Sequence, residues 1–327
     1  MDEFRGQQVL ITGGLGFIGS NLAIRLVEGG ASVTLVDSLD PSCGSNRFNI
    51  EPVRNDAAVI EGDCCNLDLM LRLVRGKTHI YNLAGHVSHL ESMNDPFSDL
   101  RMNTVAPLTV LEACRQANRD ARIVYAGTRQ CYGPSESLPL VETQVLEPVD
   151  VNGVNKMSGE RLHLVYGLAY GIPAVSLRLV NTYGPRQAVR DARQGFAGWF
   201  LRQAIEGKEI QVYGDGRQLR DLNYVDDVVD ALWIAGTDNR AVGECFNLGG
   251  IAPITLEAYV LAVIAAAGGG SYRKVPFPED SRKIDIGSVY SSFGKFHSAT
   301  GWAPRIPLGE GLARTAAYYR SHNAHYW

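Results

Sequence analysis

The chain has 327 residues, enough to bury a sizeable core and to form one large or two modest domains. Its 31 basic and 35 acidic residues leave a formal net charge of −4, which excludes a bulk electrostatic pull toward nucleic acid or an anionic membrane surface. The start, MDEFRGQQ, lacks the regions of a signal peptide, no apolar run approaches the roughly 18 residues of a spanning helix, and the six cysteines contain no CxxC pair, so a cytoplasmic protein with unbridged thiols and no membrane partner is expected.

The first strong local signal is QVLITGGLGFIGS, Gln8 to Ser20. Val9, Leu10 and Ile11 form the short apolar run of a buried strand. Glycines follow at Gly13, Gly16 and Gly19, and an amphipathic run, Ser20 to Glu28, comes next. Strand, glycine turn and helix in that order make a pyrophosphate site, because glycine lets the backbone approach and the helix start offers N–H groups and a positive dipole end. A second strand, Ser32 to Val36, ends at Asp37, 18 residues past Gly19. A carboxylate there accepts hydrogen bonds from the adenosine ribose and repels a 2′-phosphate, which favours NAD over NADP.

Strand-like and helix-like runs alternate through the first 180 residues, the pattern of an α/β fold with a doubly wound, Rossmann-like parallel sheet. A strand over Ala58 to Glu61 leads to Gly62-Asp63. Asp63 either meets the adenine amino group or caps a helix over Leu67 to Val74. The strand His79 to Leu83 opens into AGHVSHLESMNDP, which places His86, His89 and Glu91 on the loop at the sheet's carboxyl edge, where ligands bind. They are either site residues or polar residues of a solvated loop. No third ligand stands at a metal-site spacing from the two histidines, so no metal is expected. A long helix is expected over Phe97 to Asn118, a strand over Arg122 to Ala126, a second long helix over Asn152 to Tyr170, and a strand over Ala174 to Leu179. Around Pro185 the elements become shorter and mixed. A helix from Val225 to Ile234 and a strand from Cys245 to Leu248 are expected to return to the large domain. The domain reading is therefore interleaved: 1–180 with 225–250 form the dinucleotide-binding domain, and 181–224 with 251–327 form a smaller mixed C-terminal lobe.

GGLGFIG at Gly13 to Gly19, LRLVNTYGPRQ at Leu177 to Gln187, VYGDGRQLRDLNYVDDVVDAL at Val212 to Leu232 and GWAPRIPLGEGL at Gly301 to Leu312 occur in the order found in one known group. With these four stretches the chain resembles the NAD-dependent epimerase/dehydratase family of nucleotide-sugar enzymes, within the extended short-chain dehydrogenase/reductases. The resemblance implies NAD as cofactor, held by Gly13, Gly16, Phe17, Ile18, Gly19 and Asp37, with Asp63, Leu83, Ala84 and Asn103 along the cleft. It implies that Lys156 holds the nicotinamide ribose and that Thr128 meets the reacting sugar hydroxyl. For the substrate it implies Asn181, Arg220 and Arg282 at the diphosphate and Asp285 near the nucleotide ribose; a guanidinium fork suits paired phosphate oxygens. Phe196 or Tyr213 either stacks on the base or packs in the core. Family members commonly pair through a four-helix arrangement, so a homodimer is expected from the two long helices, with Leu108, Leu111, Leu162 and Leu168 among the residues on their apolar faces.

The chain departs from the family at Asn152-Gly-Val-Asn155-Lys156, where the pattern is Tyr-x-x-x-Lys. Asn152 stands at the tyrosine position, and an amide carries no transferable proton. Its expected role is to orient the sugar hydroxyl or a water beside Thr128 and Lys156. Another group must then move the proton, with His86 or His89 first because histidine titrates nearest neutrality. Lys156 is a further candidate; Cys131, as a buried thiol, and Asp150, as an exposed acid, rank lower. The family's 4,6-dehydratases carry Asp-Glu directly after the active-site Ser/Thr, and its decarboxylases a Glu in the second position; this chain has Arg129 and Gln130. The expected function is NAD-dependent C4 epimerisation of a nucleotide sugar through a transient keto-sugar, with altered acid/base groups. The alternatives are another reaction on the same substrates, decarboxylation or reduction, or a non-catalytic NAD- and nucleotide-sugar-binding protein.

Overall fold

A computed structural model of the chain describes residues 3–40 and 43–327. Six parallel strands come first: β1 (Gln8–Thr12), β2 (Ser32–Asp37), β3 (Ala57–Glu61), β4 (His79–Asn82), β5 (Arg122–Thr128) and β6 (Ala174–Leu179). Val9 and Ile11 face one side with Val33, Leu35 and Tyr81, whereas Leu10, Val36, Ile80 and Ile123 face the other. Two buried faces at a period of two are what a sheet covered by helices on both sides requires. The first face packs on α1 (Phe17–Glu28) through Leu22 and Leu26. The second packs on α2 (Leu67–Leu73) through Met70.

Between β4 and β5 the chain forms α3 (His89–Asn94), α4 (Pro96–Leu100), a wide π-type turn over Arg101–Val105, and α5 (Ala106–Ala117). The single helix expected over Phe97 to Asn118 is thus present as one continuous helical run, Pro96 to Ala117, with a π-type turn inside it. His89 and Glu91 belong to α3, not to a loop: Ser88 caps it by accepting from Glu91 N at 3.3 Å. The long helix α6 (Val151–Tyr170) starts at Asp150, whose side chain accepts from Gly153 N at 2.7 Å, and ends at Gly171 in the left-handed region.

Past β6 come β7 (Asn181–Tyr183), α7 (Phe196–Ile205), β8 (Glu209–Tyr213), β9 (Leu219–Arg220), β10 (Leu222–Tyr224) and α8 (Val225–Thr237). Strand β11 (Cys245–Leu248) then lies parallel to β6 and completes a seven-stranded sheet of order β11-β6-β5-β4-β1-β2-β3. The remaining elements are β12 (Ile254–Thr255), α9 (Leu256–Ala267), β13 (Ser271–Val275), α10 (Glu279–Lys283), α11 (Gly294–Thr300) and α12 (Leu308–His322). Three two-stranded ribbons, β7 with β10, β8 with β13 and β9 with β12, organise the region beside the sheet.

Arg178 on β6 and Glu160 on α6 join strand to helix inside the core. Nε donates to Oε2 at 2.8 Å and Nη2 to Oε1 at 2.6 Å, with both side chains 1% exposed. Removing one partner strands the other charge in a low dielectric. Arg178→Met is therefore expected to lower unfolding stability by about 3–5 kcal/mol, read from the urea midpoint.

Candidate functional site

The reversal of strand order lies between β1 and β4, and the crevice outside it is the expected ligand position in such sheets. Thr12 ties its two walls together: its hydroxyl donates to Asn82 Oδ1 at 3.0 Å and accepts from the Leu83 and Ala84 amides at 3.0 and 3.1 Å. Gly13 has φ +67°, and a Cβ there would stand 3.0 Å from the Ala84 backbone. At Gly19 a Cβ would lie 2.2 Å from the Gly13 carbonyl oxygen, so only glycine lets the turn close onto α1. Gly16 opens α1 with no side-chain cap. The resulting cradle presents backbone amides and the positive helix end to a pyrophosphate, which fits NAD.

Gly13, Gly16, Phe17, Ile18, Gly19, Asp37, Asp63, Leu83 and Ala84 all line this cleft. Asp37 is buried and accepts from Leu15 N (3.0 Å), Leu39 N (2.9 Å) and Ser45 Oγ (2.7 Å). It braces the glycine turn, and Oδ2, which accepts only from Leu15 N among these bonds, keeps lone-pair capacity for a ribose hydroxyl. Asp63 does not cap α2; Asn66 does, accepting from Leu69 N at 3.0 Å. Asp63 instead accepts from Cys65 N and pairs with Arg101. Its carboxyl lies below the usual range: partial burial pushes it up, and the Cys65 amide and Arg101 outweigh that. Asn103 is fully buried and its amide is spent on the His86 backbone and on Asp99, so it shapes the wall from behind.

Beneath the cleft lies a network that sequence reasoning missed. Asp99 is 1% exposed and accepts from Asn103 Nδ2 (3.0 Å), Asn152 Nδ2 (2.9 Å) and Asn155 Nδ2 (2.9 Å). Asn152 Nδ2 also donates to the His86 carbonyl at 2.9 Å. Both amide hydrogens therefore point inward, so Asn152 braces the wall through Nδ2, and only its Oδ1 is left to meet a hydroxyl or a water. The clue in the sequence was Asn152-x-x-Asn155, two amides on one helical face that a buried acid could satisfy. Next to it, Lys156 is buried, donates from Nζ to the Ala126 carbonyl at 3.3 Å and stands 5.5 Å from the Tyr125 ring centre. A Cβ at Gly85, on the cleft wall, would lie 2.8 Å from Nζ. Burial lowers the Lys156 pKa to about 8, with Asp99 acting in the opposite sense.

Thr128 ends β5, and its hydroxyl accepts from Gln130 N at 3.2 Å. Gln130 Nε2 donates to Asp150 Oδ2 at 2.7 Å, and His89 Nδ1 lies 3.1 Å from the same oxygen, off the hydrogen-bond direction. Asp150 is thus not the exposed acid expected: it caps α6 from a buried position. Burial pushes its carboxyl up, but His89, Gly153 N and Gln130 hold it below the usual range. His89 is partly exposed above this buried acid. His86 turns elsewhere, with Nε2 3.0 Å from the Cys43 thiol at the cleft mouth. Cys131 is buried, which drives its thiol up to about 12.

Arg129 is buried and donates to Asn181 Oδ1, while its Nε lies 3.9 Å from Asp221 Oδ1. Arg220 donates to the Leu219 and Gly287 carbonyls and lies 3.5 Å from Asp285. Its burial, then the neighbouring Arg129, lower its pKa to about 10 against the pull of Asp285. Arg282 is exposed on α10. Of the two aromatic candidates, Phe196 packs against Phe200 and the buried Tyr259, which is the core alternative. Tyr213 is half-exposed with its ring 5.6 Å from Phe277. No group of three or more metal-ligating side chains occurs among the described residues.

Comparison with known proteins agrees with this layout. Residues 9–249 match the model of the NAD dependent epimerase/dehydratase family. A UDP-glucose 4-epimerase of Mycolicibacterium smegmatis is 29% identical over 318 residues, covering 96% of this chain and 99% of the relative. A UDP-glucuronic acid decarboxylase of Xenopus tropicalis is 29% identical over 340 residues, covering 99% of this chain and 75% of the relative. The crystal structure of the UDP-glucose 4-epimerase of Thermus thermophilus in complex with NAD superimposes with a TM-score of 0.84 at 29% identity, over 96% of this chain and 99% of that one. The glycine cradle, the buried acid at the cleft and the whole-chain similarity lead to one conclusion: the chain belongs to the NAD-dependent epimerase/dehydratase family, and NAD is its cofactor.

Proposed function

We propose that this enzyme interconverts the C4 epimers of a nucleotide sugar. The observation that carries the reading is the pair of side chains after Thr128. Arg129 is a guanidinium that donates to Asn181, and the Gln130 amide is spent on Asp150, so neither supplies an acid or base for expelling water from the sugar. C4 epimerisation needs only proton exchange at one hydroxyl, rotation of the keto-sugar, and reversal. The chemistry supplied by bound NAD is reversible hydride transfer. Gly13, Gly16 and Gly19 with the start of α1 hold its pyrophosphate, Asp37 its adenosine ribose, and Lys156 its nicotinamide ribose. Thr128 holds the reacting hydroxyl, and Asn181, Arg220 and Arg282 hold the diphosphate. Asp285 and Tyr213 receive the ribose and base. His89, whose imidazole stands beside the Asp150 carboxylate, exchanges the proton in place of the missing phenol.

The test is incubation with NAD and UDP-, GDP-, CDP- or dTDP-hexoses in deuterated water, followed by NMR. The expected product is the C4 epimer without carbon-bound deuterium. Loss of water or carbon dioxide would assign a different reaction.

The enzyme works in the cytoplasm as a homodimer on this reading. None of the six cysteines is in a disulfide. Of the leucines on the two long helices, Leu111 is buried and Leu108 and Leu162 pack against the core, which leaves Leu168, 92% exposed, with Val165, Phe97 and Leu100 on the outside of α6 and α4 as the candidate pairing face. Light scattering at micromolar concentration is expected to give twice the 35.6 kDa chain mass, and Leu168→Glu to shift it toward the monomer.

A further inference from the structure

The charge balance around Arg129 is incomplete. Its side chain is 8% exposed, and Nη1 is buried with no hydrogen-bond partner among the described residues. Its firm bond, from Nη2, goes to an amide oxygen, Asn181 Oδ1, which carries no neutralising charge. The nearest carboxylate is poorly used: Asp221 Oδ2 accepts from Ser291 N (2.8 Å) and Gly250 N (3.4 Å), while Oδ1, 3.9 Å from Arg129 Nε, has no hydrogen-bond partner among the described residues. A second guanidinium, Arg220, lies close enough for the two to oppose each other's charge. A buried guanidinium with a vacant donor is costly unless an anion arrives, and its planar fork is matched by a carboxylate.

The position tells which part of a ligand would bring that anion. Arg129 directly follows Thr128 at the carboxyl end of β5 and reaches across to Asn181 at the start of β7. If Thr128 meets the reacting hydroxyl and Arg220 the diphosphate, as proposed above, Arg129 lies between them, against the sugar. We infer that the sugar carries a carboxylate, that the substrate is a nucleotide uronate, and that Arg129 is the residue that selects it.

The assignment also has a chemical consequence. Oxidation at C4 of a uronate gives a β-keto acid. Loss of carbon dioxide would break the C5–C6 bond and move its electron pair into the C4 carbonyl as an enolate. That step removes the negative charge from the carboxyl group. A guanidinium gripping the carboxylate stabilises the charge where it is and opposes the step. The C5–C6 bond then survives until hydride returns to C4 from the other face.

This inference rests on the nucleotide-sugar reading, and one titration series separates the two. NAD-loaded protein is titrated calorimetrically with matched pairs, UDP-glucose against UDP-glucuronate and GDP-mannose against GDP-mannuronate, and with UDP and GDP alone. The expected result is a preference of about tenfold or more for the uronate of at least one pair, the scale of a charged hydrogen bond. Arg129→Met is expected to abolish the preference and Arg129→Lys to restore part of it, with NAD affinity reporting that the variants are folded. Equal binding of both members by the unaltered protein overturns the inference and leaves the nucleotide-sugar reading standing. Loss of UDP or GDP affinity in Arg129→Met assigns the residue to the diphosphate instead, and an equal loss for both members of a pair makes it a scaffold; either overturns the inference. If none of the six ligands binds, the inference is overturned, and the nucleotide-sugar reading falls with it only if the CDP- and dTDP-hexoses also give no product in the NMR test.

Discussion

Replacing Lys156 by methionine is expected to lower turnover by about 100- to 10,000-fold, the range for removing a group that acts on the transferred proton or its charge. The lysine is enclosed between Ala126, Gly85 and the Tyr125 ring, so no water can take over its place without opening the wall. Its ammonium is held against burial by Asp99, and the balance leaves a pKa of about 8. The sign of the pH dependence follows. Below about pH 8 the ammonium is present and steadies the developing alkoxide; above it the amine is neutral and that help is lost. A falling limb of kcat/KM near pH 8 is therefore expected, and it should disappear in the methionine variant. A rate that instead rises through pH 8 would make the neutral amine the base and displace His89 from that role.

His89→Asn is expected to reduce turnover at least about 100-fold with ligand binding intact. Thr128, Gln130, Asp150 and His89 form one chain of contacts from the strand end to the surface of α3. Asp150 stays ionised because its neighbours hold its carboxyl low, so it can balance the charge of the nearby imidazole when that is protonated. His86→Asn is expected to have the smaller effect, since its imidazole contacts the Cys43 thiol. Asn152→Tyr should not raise turnover: a phenol has no hydrogen to give to both the His86 carbonyl and Asp99, and the buried carboxylate would lose one of its three amide donors. Full turnover in both histidine variants, together with a strong gain in Asn152→Tyr, would identify a degraded form of the usual site.

The sequence by itself determined the parts of this protein that depend on neighbours along the chain. A strand, a glycine turn and a helix start are local, so the cofactor cradle at Gly13 to Gly19 and the ribose acid Asp37 were legible from spacing alone. The short apolar run of β1 and the alternation of strand-like and helix-like runs were legible for the same reason, and with them the doubly wound sheet. Strand β11 was expected to return to the large domain, and its parallel pairing with β6 places it there. The tertiary structure decided whatever depends on where a side chain ends. Asp99 and Asn152 are 53 residues apart, and no periodicity reveals that one satisfies the other. Asp150 looks like a surface acid in sequence, yet it is enclosed where α3, α6 and the turn after β5 meet. Arg129 reads as the loss of an acid until its contact with Asn181, 52 residues on, is seen. A buried polar group must find partners wherever the packing brings them, and those partners lie across the sheet edge and not along the chain.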